Sequence, residues 1–181
     1  MINDQVLVAR MVANQDAGAF GELIRRHQSQ VRNFLRKLAR DETLADDLAQ
    51  DCFLHAWDKI HTYSGSGTFI GWVLKIAYTT FLQSKRKSKR YHEILGQAGH
   101  ESVRETTSHA TSQEDVLDLD KLLAALNEQE RTIMIFSYAC GLSHREISEA
   151  TELPAGTVKS IIHRAKEKIR TQFEIESYQH G

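Results

Sequence analysis

The chain has 181 residues, of which 41% are apolar and 26% charged, with a formal net charge of -1. That balance belongs to a folded globular chain of one domain or two small ones. It excludes a uniformly basic body that coats nucleic acid without discrimination.

Charge is nonetheless unevenly spread. Residues 1–90 hold fourteen Lys and Arg against nine Asp and Glu, a net of +5, and the remainder carries -6. Much of the excess base lies in one run, Lys85, Arg86, Lys87, Lys89 and Arg90. Apolar residues recur at helical spacing almost everywhere, strand-like alternation is nearly absent, and Pro154 is the single proline. An all-α fold is predicted.

In chain order, the first strong helix covers 16–39, with Phe20, Leu23, Ile24, Val31, Phe34, Leu35 and Leu38 as its apolar stripe. Arg25, Arg26, Arg32, Arg36 and Lys37 fall on the solvated side. A second helix runs from about Thr43 to Ile60, with Thr43 and Asp46 as a variant capping box. Leu44, Leu48, Cys52, Ala56 and Ile60 recur every four residues and are expected to face the core. Tyr63 to Gly67 is a Ser- and Gly-rich break and therefore a loop. A third helix starts near Thr68 and runs through Trp72 and Ile76 into the basic run.

Residues 91–113 are rich in Gly, Ser, Thr and His, the composition of a flexible linker. Periodicity returns at Glu114, where Val116, Leu117, Leu119, Leu122, Leu123 and Leu126 suggest a helix. Asn127 and Glu130 then cap one holding Ile133, Met134, Phe136 and Tyr138. The parse is two small helical domains, 1–90 and 114–176, joined by the linker 91–113.

The stretch from Gly141 to Arg170 is the most informative. Gly141 ends one helix, and Ser143 with Glu146 forms a capping box that starts a short helix with Ile147 and Ala150 inward. Glu152 to Gly156 makes a tight turn in which Pro154 fixes the start of the next helix. Val158, Ile161, Ile162, Ala165 and Ile169 share one face of it, and Lys159, Ser160, His163, Arg164 and Glu167 the other. This is the pattern of a helix-turn-helix whose second helix enters a major groove; a helical hairpin with a solvated outer face is the alternative. The run closely resembles region 4 of the extracytoplasmic-function sigma factors of RNA polymerase. The resemblance implies that Thr157, Lys159, Ser160, His163 and Arg164 read the −35 promoter element. Ile161 stands where the family often has Arg, so it is expected to turn inward.

The first domain carries a second, independent likeness. Asp46, Asp47, Leu48, Gln50, Asp51 and Phe53 resemble the family's core-binding signature in region 2. On a helix, Asp47, Gln50, Asp51, Leu54 and Asp58 share one face, which by pattern alone is also what a solvated acidic face looks like. The resemblance assigns Asp46, Asp47, Gln50, Asp51 and Leu54 to the clamp helices of the polymerase β′ subunit. Tyr63, Gly65, Thr68, Phe69, Trp72, Val73, Lys75, Ile76 and Ala77 resemble the family's −10 melting loop and helix. That implies Tyr63, Trp72, Lys75, Tyr78, Thr79, Lys85, Arg86 and Lys87 as −10 contacts, with Phe69 and Ile76 as ordinary core. Tyr78, Thr79 and Gln83 depart from the usual Arg, Asn and Asp, which implies a −10 reading that leans on stacking.

Core RNA polymerase, through β′ clamp helices and β flap, promoter DNA and an anti-sigma factor are the implied partners. A DNA-binding regulator that never touches polymerase is the competing reading. No nucleophile, His-x-x-x-His or paired-Cys motif calls for catalysis, a metal or a cofactor. Cys52 and Cys140 read as small buried hydrophobes. Residues 1–4 lack the start of a secretory leader and no apolar run approaches the ~18 residues of a membrane span, so a cytoplasmic protein without membrane insertion is expected. No long C-terminal extension suggests a built-in regulatory domain.

Overall fold

The computed structural model describes residues 3–95 and 125–179, with the side chains of the last helix described to Gln172. The helix suggested for 114–126 therefore lies almost wholly outside the described residues. Among the described residues there are helices and turns and no strand. The chain divides into two compact units, 1–106 and 107–181.

Among the described residues the first unit holds four helices: α1 (Asp4–Asn14), α2 (Ala17–Ala39), α3 (Glu42–Lys59), followed by a short 3-10 turn at Ile60–Thr62, and α4 (Phe69–Ile94). Each start is fixed by a side chain that accepts an otherwise unpaired backbone N–H. Asn3 accepts from Gln5 at 3.2 Å, Asp16 from Ala19 at 3.0 Å, Asp41 from Leu44 at 2.9 Å and Thr68 from Gly71 at 3.1 Å. The α1 and α2 ends turn through left-handed residues, Gln15 and Arg40.

Two of the sequence expectations for α3 are corrected. Its cap is Asp41 rather than Thr43, and Asp46, expected to complete a capping box, instead meets Arg32 at 3.1 Å and Arg36 at 3.7 Å on α2. Leu44 is 36% exposed. A strict spacing of four drifts around a helix by about 40° per step, and the buried set is Ala45, Leu48, Ala49, Cys52 and Ala56, which follows the true period. α4 runs on to Ile94, so residues 91–94, expected as linker, are helical. Helix α1 is an addition to the elements expected from the sequence; it buries Leu7, Val8 and Met11.

The core of this unit lies between α2, α3 and α4. Leu23, Val31, Phe34 and Leu35 of α2 meet Leu48, Cys52 and Ala56 of α3 and Val73, Leu74 and Ala77 of α4, all buried. Cys52 is sealed there, its Sγ 3.6 Å from the Val73 carbonyl, and burial pushes its thiol up to about 12. Cys140, in the second unit, is only half-buried, and neither is in a disulfide.

Among the described residues the second unit holds α5 (Glu128–Met134), which runs into a π turn at Ile135–Ala139, then α6 (His144–Thr151) and α7 (Ala155–Gln179). Both expected capping boxes are formed, by Asn127 with Glu130 and by Ser143 with Glu146. Gly141 reverses the chain after the π turn with a φ of +69°, a conformation that suits glycine. Ile133, Phe136, Ile147, Val158, Ile161, Ile162 and Ala165 form the core.

Glu130 ties this unit together. It is 5% exposed; it caps α5, and it receives Lys168 Nζ of α7 on both carboxylate oxygens at 2.8 Å. The Lys168 ammonium, followed by the Asn127 backbone N–H, holds the carboxyl below its ordinary value against the opposing effect of desolvation. A depressed folded-state pKa contributes stability above the unfolded value that is lost as pH falls through the folded one. Glu130→Ala should therefore destabilise the second unit by about 1–3 kcal/mol at neutral pH, with the deficit shrinking in acid. Amide hydrogen exchange at Ile133 to Phe136 measures this directly, since Trp57 and Trp72 both lie in the first unit. Equal protection of wild type and variant at pH 7 would contradict it.

Candidate protein and nucleic-acid interfaces

Three surfaces collect the residues singled out by the sequence. The first is the outer face of α3. Its buried stripe is made mostly of small side chains, so the opposite face points to solvent along its whole length. Asp47, Gln50, Asp51, Leu54 and Asp58 are all exposed there, Leu54 at 65%. Among the described residues, Asp47, Asp51 and Asp58 are in no ion pair, whereas Asp46 is held by Arg32 and Arg36. Four of the five residues assigned to polymerase thus share one face. Asp46 does not: its carboxylate faces α2.

The second surface lies where the 63–67 loop enters α4. Tyr63, Phe69 and Trp72 form a triangle of rings with centroids 5.7–5.8 Å apart. Phe69 is buried, as expected of core, and Tyr63 and Trp72 are half-buried beside it. The Tyr63 hydroxyl donates to the Gly67 carbonyl at 2.7 Å, which closes the loop over the ring, and Gly65 takes a φ of +74° within it. Tyr63 meets Phe69 edge to face and Trp72 is tilted against both, so the two half-buried rings leave polarisable surface at the loop rim. Lys75 and Thr79 are exposed one and two turns along, and Tyr78 is half-buried. The Thr79 hydroxyl donates to the Lys75 carbonyl at 2.9 Å, so its proton is occupied by its own helix. Lys85, Arg86 and Lys87 are exposed further along α4, with Lys85 Nζ 5.8 Å from the centre of the Phe81 ring.

The third surface is the helix-turn-helix. α6 ends in Glu152 at φ +60°, and Ser148 Oγ donates across the turn to the Leu153 carbonyl at 2.5 Å. Val158 buries the first turn of α7, and Ile161 is 2% exposed, turned inward as expected. Thr157, Lys159, Ser160, His163 and Arg164 are all exposed on the other side. Ser160 donates to the Gly156 carbonyl at 2.9 Å and keeps its lone pairs available. Among the described residues Lys159, His163 and Arg164 make no ion pair.

Sequence reasoning missed some of what holds these surfaces in place. His55 reaches across from α3 to Thr80 on α4, Nδ1 to Oγ1 at 3.2 Å. Lys166 Nζ sits 5.2 Å from the centre of the exposed Tyr138 ring. Neither contact has a signal in residue spacing. Among the described residues no cluster of His, Cys, Asp or Glu is arranged to hold a metal, and no helix is long and apolar enough to cross a membrane.

A helix-turn-helix module in one unit, and a second helical unit with an exposed acidic face and an aromatic loop, define the class: an all-helical, two-unit DNA-binding protein. Residues 23–91 match the family model for sigma-70 region 2, and residues 117–169 that for sigma-70 region 4, together about two thirds of the chain. The chain belongs to the sigma-70 family of RNA polymerase sigma factors, in its extracytoplasmic-function group. It is 28% identical over 168 residues to RNA polymerase sigma factor NccH of Alcaligenes xylosoxydans xylosoxydans, covering 90% of each chain. It is also 28% identical over 169 residues to the extracytoplasmic-function sigma factor RpoE of Cereibacter sphaeroides, covering 92% of this chain and 93% of that one. Its fold is similar to that of the sigma factor RpoE of Bartonella quintana, solved in complex with the anti-sigma factor NepR. That match has a TM-score of 0.73 at 24% identity, over 86% of this chain and 97% of that one.

Proposed function

We infer that the chain is a transcription initiation factor that binds core RNA polymerase and directs it to specific promoters, without catalysis of its own. The second unit reads the −35 element through the helix-turn-helix, and the first melts and holds the −10 element. The observation that carries this reading is the uncompensated acidic face of α3. Where Asp46 is neutralised from α2, Asp47, Asp51 and Asp58 are left to solvent around the apolar Leu54. Such a face suits a basic, helical partner with a small apolar contact at its centre. The clamp helices of the β′ subunit are that partner, and the β flap receives the second unit.

At the −10 element, the ring triangle and Tyr78 supply stacking surface worth roughly 1–3 kcal/mol per base. Lys75, Lys85, Arg86 and Lys87 track the single-strand backbone. With the Thr79 proton bonded to its own helix, discrimination at the flipped base leans on stacking and shape. At the −35 element, Ser160 and His163 face base edges, while Lys159 and Arg164 meet phosphates or guanine; Thr157 flanks them at the helix start. Exposed binding faces on both units favour a masking partner in the uninduced cell, and the relative from Bartonella quintana was solved with an anti-sigma factor. An anti-sigma factor is the proposed regulator, and the cytoplasm is the compartment in which all these partners meet.

The polymerase contact is tested by reversing Asp47 and Asp51 to Lys together. Both are exposed, so the fold should persist while affinity for core polymerase falls by about 1–3 kcal/mol at low salt. Undiminished affinity would remove the α3 face from the interface, and a wild-type chain that fails to bind core polymerase at all would favour a regulator that never touches it.

The recognition helix is tested by promoter selection from a randomised library. Ser160→Ala and His163→Ala should relax single positions of the −35 preference, at about 1–3 kcal/mol each. Where Lys159 and Arg164 meet phosphate, Lys159→Ala and Arg164→Ala should leave the preference intact and lower the salt slope by about 0.9 for each phosphate no longer neutralised; a loss of preference for guanine at one position marks a base contact instead. An unchanged −35 preference in both Ser160→Ala and His163→Ala would contradict the assignment.

A further inference from the structure

A line of contacts runs from α1 to the aromatic loop, and neither the family match nor the sequence pattern accounts for it. Asp4, in the first turn of α1, is gripped by two neighbours on α2. Arg26 Nη1 donates to its Oδ1 at 3.0 Å, and His27 Nε2 lies 2.7 Å from its Oδ2. An ionised carboxylate only accepts, so Nε2 carries the hydrogen and the ring orientation is set by Asp4. Arg26 is itself braced by Glu22, Nε to Oε1 at 2.7 Å. The side chain of His27 is 15% exposed. Its ring meets the Phe69 ring at 5.5 Å between centroids, tilted by 50°. Phe69 is the buried member of the triangle with Tyr63 and Trp72.

We propose that His27 is a positioning residue for promoter melting: fixed by Asp4, it braces Phe69 from behind and so holds Tyr63 and Trp72 in the arrangement that receives the unstacking base. The inference rests on the reading of the first unit as the melting unit. Phe69 begins α4 and touches the loop residues on one side, so a base pressing on Tyr63 or Trp72 pushes the triangle toward α2. His27 is the polar-anchored ring on that side. An unanchored aliphatic side chain there would fill space without fixing a plane, whereas a ring tied at Nε2 resists rotation. The Asp4 clasp also explains why α1, which contributes only Leu7, Val8 and Met11 to the core, is attached at its polar end.

The test uses the full chain with core polymerase on a promoter recovered from its own run-off transcription. Permanganate reactivity of −10 thymines is read on duplex DNA and on a template whose −10 bases are already mismatched. His27→Gln keeps a donor for Asp4 and removes the ring. It should lower thymine reactivity on duplex DNA roughly two- to tenfold, the range for one aromatic contact. On the mismatched template, and in affinity for core polymerase, it should match wild type. His27→Phe, which restores a ring against Phe69, should recover most of the duplex opening. Asp4→Ala should show a smaller defect of the same kind. Wild-type opening by His27→Gln would overturn the proposal. So would a defect that persists on the mismatched template, or one that affects core binding by the same factor, since either marks a general loss of structure. Failure of the wild type itself to open duplex DNA would overturn both this inference and the functional reading beneath it, and is told apart by that control.

Discussion

The first unit depends on how α3 is packed. Its inward stripe is Ala45, Leu48, Ala49, Cys52 and Ala56, four small side chains and one large one. Small residues let the large side chains of α2 and α4 close over a helix from both sides. Phe34, Leu35, Val73 and Leu74 do so and are fully or almost fully buried. A helix clamped this way needs nothing from its outer face for stability. That face is therefore available to carry Asp47, Gln50, Asp51, Leu54 and Asp58 with no internal compensation. Enlarging Ala49 or Ala56 would separate α2 from α4 and displace the proposed docking face at the same time.

The same division governs the second unit. α7 buries Val158, Ile161, Ile162 and Ala165 on one side and leaves its polar side chains outside. Its orientation is set by two polar ties, Ser148 to the Leu153 carbonyl at the turn and Lys168 to Glu130 further along. Base reading tolerates little misplacement, so under the proposed function the ties that set the pose of α7 bear on promoter choice without touching DNA. In the first unit the caps Asp41 and Thr68 set where α3 and α4 begin, and hence which residues occupy the outer face and the loop junction.

Much of this is legible in the sequence. The all-α class, the break at 63–67, the capping boxes at Asn127 and Ser143, the turn at Pro154 and the inward Ile161 all follow from local rules. What is not legible depends on distant partners or on blurred patterns. Helix α1 carries half-exposed Val6 and Val12 beside buried Leu7, Val8 and Met11, so no apolar face separates from the rest. Asp46 reads as a cap and as a docking residue because spacing alone cannot reveal Arg32 and Arg36 on the neighbouring helix. The π turn at 135–139 has no composition that sets it apart from the α-helix before it. His27 and Glu130 read as ordinary helix residues; their roles exist only once Asp4, Phe69 and Lys168 are brought to them.

If one chain couples a polymerase-docking face to promoter reading, adding it must change what core polymerase transcribes. Run-off transcription over a genomic DNA library with purified core polymerase tests it most directly. Discrete transcripts should appear only when the chain is added, and should start at a fixed distance from a shared −35 sequence. Specific binding of the chain to DNA with no change in what core polymerase transcribes would contradict it.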